Sequence, residues 1–502
     1  MESLVNVIEE AGVLQGLADF AIDAALTQGI VLRPAETPHS SAVVEFAPFC
    51  LFPSPVPKDL YDQAVAVQSP YNLLYHRIAE DEDFLRETLE KTRQVDPFVG
   101  RLWEIYRFVR AEGVAQKLQL GIHRSDYMVD IVGEGDAEDG GISAGYRLTQ
   151  IEMNTIASAF GCLSTRLFPV HRQIVRRVND AVAAAEFPVD AVPENDVTGN
   201  LARGLLLAVD AYIEDRDESA SVKELKPAIL FVCEEVWRTV LDQRLLEYAI
   251  YERRKGLVVL RKTLLEVELR GRLDEVTKIL TIDGYEVCLA YFRIGYAPTQ
   301  YPSELHWKGR LKIERSLAVK CPSIGYHLVT TKKVQQAIAA PGILERFLDD
   351  RDTIQQLRQT FTGLYPLDDS AMGSRAISLA RSDPSKFVLK PQREGGANNF
   401  YGDDIPQMLD QICRGDGKDK AAYILMDRVS PMEHFNVILR PGAEVKVEKM
   451  VSELGIFGVF LIRDEEVLMN EFAGHLVRTK PSHCDEGGVA AGFAGLNSPF
   501  LK

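Results

Sequence analysis

Apolar residues recur at helical spacing, with charges between them, through EDEDFLRETLEKTRQVDPFVGRLWEIYRFVRAEG (80–113). As far as about Asp180 the chain reads as mostly helical, and such helices are expected to pack around a central sheet. The pattern changes at LGIHRSDYMVDIVGEGDAEDGGISAGYRLTQIEMNTIASAFG (120–161). There a Gly- and Asp-rich tip, Gly133 to Gly141, separates two strand-like runs.

From about Pro227 to Tyr301 the periodicity alternates: strand PAILFVC, helix DQRLLEYAIYERRKG, strand LVVLRKT, strand EVCLAYFR. Strands alternating with a helix predict a parallel-sheet α/β lobe. A helix is expected across TKKVQQAIA and one more across ILERFLDDRDTIQQLRQTFTG. The last part alternates strands (FVLKP, YILMDRV, ELGIFGVFLIRD, EVLMNEFAGHLVRT) with two Gly-rich turns, and no internal repeat interrupts it.

Composition narrows the class. With 502 residues and 46% hydrophobic content, the chain is long enough for more than one packing unit. Lys and Arg number 57 against 73 Asp and Glu, a net charge of −16, which argues against a nucleic acid as principal partner. The seven Cys form no C-x-x-C pair and are expected as reduced thiols. The start, MESLVNVIEEAG, is acidic and the apolar runs are short. A cytoplasmic protein without a membrane partner is the expectation.

Three segments carry candidate chemistry. In FVLKPQREGGANN a strand ends on Lys390, and Gly395 and Gly396 follow Glu394. Glycines let backbone N–H groups approach phosphate, Lys390 supplies a point charge, and Glu394 offers oxygen to Mg²⁺. A hairpin turn with solvated charges fits the same letters. In LTQIEMNTI, Glu152 and Asn154 share one strand face, which suits a hard cation or simply a polar sheet face. In HLVRTK, Arg478 and Lys480 share a face ahead of DEGGVAAGFAG, where small residues allow close approach to an anion. Arg293 ends a strand and is a ligand contact or a structural ion pair; Lys332 opens a helix, where a solvated lysine is the ordinary case. His475 and His483 read as structural.

These pieces, in this order, resemble eukaryotic-type glutathione synthetase, of the ATP-grasp superfamily. The resemblance runs from SSAVVEFAPFCLFPSPVP through RSDYM, QIEMNT, YFRIGY, KCPSIGYHL, TKKVQQ, FVLKPQREGG, YILMDRV, SELGIFGV and HLVRTK to DEGGVAAG. It implies an α/β (α+β) ATP-grasp core from residues 1–226 and 332–502, a lid region at about 387–430, an inserted parallel-sheet substrate-binding domain at 227–331, and a homodimer. It also implies ligation of γ-glutamylcysteine and glycine through an acyl phosphate, with ATP as co-substrate and two Mg²⁺ ions. By the same resemblance Glu152, Asn154 and Glu394 hold metal. Glu152, Lys332, Lys390, Gly395, Gly396, Tyr401, Met426, Asp427, Arg428, Val429, Glu453, Lys480 and Glu486 contact ATP. Arg124, Ile156, Ala157, Ser158, Ala159, Thr239, Gln243, Arg293, Ile294, Gly295, Tyr296, Arg478, Val489 and Ala490 line the peptide substrate, and Lys390 and Arg478 act in catalysis.

The chain departs from the family pattern at Ala157 and Ala159, where the family commonly has serines around an alanine. It departs again at Thr239, where an asparagine is common, at Ala397, which replaces a third glycine, and at Ile294, where a polar residue can occur. Ala490 and Ala491 resemble the glycine-using enzymes rather than the β-alanine-using homoglutathione synthetases. A ligase with another acceptor and an ATP-binding scaffold without turnover are the rival expectations.

Overall fold

The computed structural model describes residues 12–132, 145–182, 186–216, 225–235, 238–394, 398–414, 416–485, 487–489 and 492–502. The Gly- and Asp-rich tip expected at Gly133 to Gly141 lies outside these residues.

The helical first part is divided by side-chain caps. Asp81 accepts from Phe84 N, starting the helix Glu82–Leu89, and Asp96 accepts from Phe98 N and Val99 N, starting Pro97–Glu112. Both carboxylates satisfy N–H groups that a helix start leaves unpaired. The same device corrects one expectation. The helix predicted across 343–363 is two helices, Leu344–Phe347 and Arg351–Gln359, because Asp350 takes the Thr353 N–H and begins a new helix.

The helices Lys58–Glu80, Gly161–Ala181 and Val197–Asp215 lie against an eight-stranded sheet. Two long antiparallel hairpins form one side of it, Glu448–Arg463 with Glu466–Pro481 and Leu118–Ile131 with Tyr146–Asn154 at the edge, joined by pairing of Glu448–Arg463 with Leu118–Ile131. The register sets Glu453 opposite both Arg478 and Met128, Asp126 opposite Glu152, and Arg124 opposite Asn154. Paired residues share a face, so polar side chains from four strands converge on one patch. The pairing shifts between Asp126 and Tyr127, and Ile151 is the extra residue of this bulge. Its carbonyl is released from the ladder and accepts from Lys390 Nζ and Gln335 Nε2 instead.

A second sheet has six strands. Val258–Lys262, Lys226–Val232, Tyr285–Phe292 and Val319–Cys321 run parallel, and the helix Val240–Arg253 makes the crossover between Lys226–Val232 and Val258–Lys262. The expected parallel α/β unit is present, with the short antiparallel strands Leu280–Ile282 and Arg272–Leu273 added at one end. Its inward residues merge into the two main cores shared with the large sheet.

A third, four-stranded antiparallel sheet is made by Leu364–Pro366, Tyr423–Asp427, Phe387–Pro391 and Phe400–Tyr401. The helices Ala371–Ser382 and Asp404–Ile412 supply apolar residues to a core of its own, including Leu389, Leu425, Ile405 and Leu409. The longer strands of all three sheets match runs legible in the sequence, whereas short ones such as Phe49–Cys50, Leu364–Pro366 and Gly495–Asn497 do not, and the space between the first and third sheets becomes the site.

Candidate functional site

A cavity of about 900 Å³ opens between the polar patch of the large sheet and the four-stranded sheet. Its lining joins residues far apart in the chain: Arg124, Glu152, Asn154, Lys332, Lys390, Glu394, Glu453 and Arg478 all face it.

Lys332 is the first residue of the helix Lys332–Ile338 and is buried, not solvated as a helix lysine would ordinarily be. Its Nζ donates to Glu394 Oε1 at 2.7 Å and stands 3.0 Å from Glu152 Oε2. Arg478 Nη2 donates to Glu453 Oε1 at 2.5 Å and to Asp126 Oδ2 at 2.9 Å. Burial works to raise the Glu152 carboxyl, but Lys332, Lys390 and Arg478 together outweigh it and hold this group well below the ordinary carboxylate range. Burial pushes Glu394 up to about 7 against the pull of Lys332, and pushes Lys390 down to about 8 despite Glu152. The carboxylates and ammonium groups are thus packed at a density that only close pairing sustains.

Glu152, Asn154 and Glu394 can each offer an oxygen, the donor type that hard divalent cations take. Among the described residues no three His, Cys, Asp or Glu side chains gather as a metal cluster, so a cation held by these three would complete its shell with oxygens of a bound molecule. Glu152, kept ionised by its neighbours, fits such a role.

The opposite wall is built by the turn after Asn154. Ala157 and Phe160 have positive φ, 53° and 67°, and Asp242 from the helix Val240–Arg253 accepts from the N–H groups of Phe160, Cys162 and Leu163. Arg293 Nη1 donates to Ser158 O at 2.7 Å. Ser158 Oγ, Thr239 Oγ1 and Arg293 Nε are buried without a hydrogen-bond partner among the described residues. Buried polar atoms are rarely left so, and this wall is shaped for a polar molecule. The alanines at 157 and 159 bring no hydroxyl to this wall, and Ser158 between them does.

Of the expected contacts, Ile156, Ala157, Ser158, Ala159, Thr239, Arg293, Tyr296, Tyr401, Met426, Asp427, Arg428, Val429, Lys480 and Val489 also line the cavity. Arg428 bonds Asp485 and lies over the Tyr401 ring, and Lys480 donates to the Asp485 carbonyl. Three expected residues sit behind the wall instead. Gln243 accepts from Arg261 Nη2 at 2.6 Å, Ile294 is buried in the core, and Gly295, at φ 98°, donates its N–H to Gln300. Gly395, Gly396, Ala397, Glu486 and Ala490 lie outside the described residues. His475 is structural as expected, bonded to the Tyr61 hydroxyl.

Sequence reading missed Asp126, which holds both Arg124 and Arg478, and Arg393, which pairs with Asp96. The i, i+2 spacing of Arg124 and Asp126 was the available signal for the first; nothing local marked the second.

The fold and site define a mixed α/β protein with a buried, cation-rich cavity for a polyanion, and no histidine is in its described lining. A family model described as eukaryotic glutathione synthase, ATP binding domain, matches residues 12–501. Similar proteins include the glutathione synthetase of Xenopus laevis, 42% identical over 99% of this chain and 98% of that protein, and that of Homo sapiens, 40% identical over 99% and 98%. The chloroplastic glutathione synthetase of Solanum lycopersicum is 38% identical over 98% of this chain and 85% of its own. A solved structure of a glutathione synthetase-like effector, GSS30 from Globodera pallida, shares the fold with a TM-score of 0.74 at 22% identity, covering 99% of each chain. The chain belongs to the eukaryotic glutathione synthase family.

Proposed function

We propose that this chain is an ATP-dependent ligase that joins γ-glutamylcysteine and glycine to give glutathione, ADP and phosphate. The observation that carries it is Lys332 held between Glu152 and Glu394, in one cavity with Lys390 and Arg478. Family membership over nearly the whole chain supports the same reading.

In this reading the cysteine carboxylate attacks the γ-phosphorus of ATP and ADP leaves. The glycine amine then adds to the acyl phosphate carbon, and phosphate departs. Lys332 and Lys390 bind the phosphates. Arg478 faces the reacting carboxylate and balances the charge that develops there. Arg124, Arg293 and Tyr296 orient the substrate carboxylates, with Ile156, Ala157, Ser158, Ala159, Thr239 and Val489 against the dipeptide. Gln243, Ile294 and Gly295 support this wall from behind. Tyr401, Met426 to Val429, Glu453, Lys480 and Glu486 enclose the nucleotide. No protein nucleophile is required, because alignment and charge balance lower the barrier. Glu152, Asn154 and Glu394 would hold two Mg²⁺ ions, which neutralise phosphate charge when bound.

The ATP-grasp reading divides the chain into a core from 1–226 and 332–502, with a lid at about 387–430, and an inserted substrate domain at 227–331. The separate core of the four-stranded sheet and the parallel sheet within 226–321 support that division. We place the protein in the cytoplasm as a homodimer. Cys50, Cys162, Cys233, Cys288, Cys321 and Cys413 are free thiols, which suits a reducing compartment, and among the described residues no helix is long and apolar enough to cross a membrane. Cell fractionation would decide between the cytoplasm and the plastid that the tomato relative's name points to, and light scattering would test the dimer.

The test is ADP release with γ-glutamylcysteine and either glycine or β-alanine. Preference for glycine is expected from Ala490 and Ala491; preference for β-alanine overturns the acceptor, and no release with either overturns the activity.

A further inference from the structure

Asp126 is fully buried, yet it stands at the centre of the site's polar framework. It accepts from Arg124 Nε at 2.6 Å and Nη2 at 2.8 Å, from Asn154 Nδ2 at 2.8 Å and from Arg478 Nη2 at 2.9 Å. The three partners belong to three strands, Leu118–Ile131, Tyr146–Asn154 and Glu466–Pro481. Opposite Asp126 in the paired strand is Gly455. A Cβ there would stand 2.7 Å from Asp126 Oδ1 and 2.9 Å from Arg124 Cδ, so the neighbouring strand leaves room for this pair and for nothing more.

The chemistry of these bonds selects atoms. A carboxylate paired with guanidinium groups only accepts hydrogen bonds, whereas an asparagine amide has a donating and an accepting end. Asp126 Oδ2, Glu152 Oε1 at 3.2 Å and the Arg124 carbonyl at 3.4 Å all take the Nδ2 end of Asn154. The Oδ1 end is left for the cavity that Asn154 lines, and oxygen is the atom a hard cation needs. Likewise Nε and Nη2 of Arg124 and Nη2 of Arg478 are engaged with carboxylates inside the framework, leaving Nη1 of each for a ligand.

We propose that Asp126 is a positioning residue for the ligase reaction, which turns the Asn154 amide oxygen toward a magnesium ion and the outer nitrogens of Arg124 and Arg478 toward substrate carboxylates. It touches neither ligand itself, and the assignment rests on the function proposed above. Buried groups that orient metal ligands in this way commonly change metal affinity about 10–100-fold when replaced.

The test uses the full chain with a non-hydrolysable ATP analogue, manganese as the probe read by electron paramagnetic resonance, and steady-state kinetics in magnesium. Asp126→Asn offers an amide where only acceptors stood, so Asn154 is free to turn over. Manganese affinity is expected to fall at least about tenfold, and KM for γ-glutamylcysteine to rise. In an Asn154→Ala background the same change is expected to leave manganese affinity unaltered, the signature of action through Asn154. Gly455→Ala keeps every ionisable group while displacing the carboxylate. It is expected to give a smaller loss of the same kind, and it decides the matter where Asp126→Asn does not fold. Unchanged manganese affinity and KM in the folded variants, or an equal loss with and without Asn154, overturns the proposal. A wild-type chain that binds no manganese with the nucleotide analogue overturns the functional reading beneath it as well.

Discussion

Lys332 Nζ donates to Glu394 Oε1 at 2.7 Å, tying the start of a helix on the main body to the loop that leaves the four-stranded sheet. The same ammonium stands 3.0 Å from Glu152. This contact joins the two sheets across the cavity and makes Glu394 a group of the site rather than of a surface turn.

Glu394→Ala is expected to lower turnover by on the order of 100-fold or more, the scale of removing one group that organises transition-state charge. The unfolding midpoint should change little, because Lys332 retains Glu152 as a partner. ADP release and thermal unfolding of the same preparation check this. A large fall in the midpoint with turnover preserved would make Glu394 structural.

Arg478→Lys keeps the charge but cannot span Asp126 and Glu453 while presenting a further N–H to substrate. Its kcat is expected to drop about 10–100-fold, with affinity for ATP nearly unchanged. Single-turnover acyl transfer and nucleotide binding, measured separately, distinguish the two effects.

The hydroxyls of Ser158 and Thr239 are buried and lack partners among the described residues. Ser158→Ala and Thr239→Val should each raise KM for γ-glutamylcysteine by about fivefold, near 1 kcal/mol for one neutral hydrogen bond, and leave kcat alone. Unchanged KM with a higher unfolding midpoint would show that the hydroxyls serve no ligand.

Stability should fall as the medium is acidified below neutrality. Burial pushes His123 and His475 down to about 3 and His171 and His434 down to about 4, from an ordinary 6.5. Between those values and 6.5 the unfolded chain binds more protons than the folded one, so each histidine's contribution is lost as pH falls through 6.5. The loss is about 1.4 kcal/mol per pH unit for each. Glu394, raised to about 7, acts in the opposite sense below that value, as do Glu234, Asp242, Asp427 and Glu453, which burial also raises, while burial lowers His76 and His327 in the same sense as the four histidines above. Urea unfolding at pH 7.5 and 5.5 checks the sign, and equal or greater stability at 5.5 would contradict it.

Local pattern made the long strands and the α/β unit legible, because alternation and helical spacing are properties of neighbouring residues. It also placed Glu152 with Asn154 and Arg478 with Lys480 on common faces. What it could not supply was register. Asp126 acquires its role only when Leu118–Ile131 pairs with Tyr146–Asn154 and, through Glu448–Arg463, approaches Arg478. The bulge at Ile151, which hands a backbone carbonyl to Lys390, has no mark in QIEMN. Ile294 and Gly295 sit between the lining residues Arg293 and Tyr296 in sequence yet are not in the lining, and Gln243 is engaged by Arg261 instead. The split at Asp350 came from a side chain that favours capping, a competition that apolar spacing does not register.

The central claim is that this cavity couples ATP cleavage to formation of one amide bond. The most direct measurement is the stoichiometry of products when the purified chain is given ATP, magnesium, γ-glutamylcysteine and glycine, with ADP followed enzymatically and the peptide by mass spectrometry. The account predicts one glutathione for each ADP, and no sustained ADP release when glycine is withheld. Tight nucleotide binding without ADP release from the complete mixture, or ADP released without peptide, would contradict it.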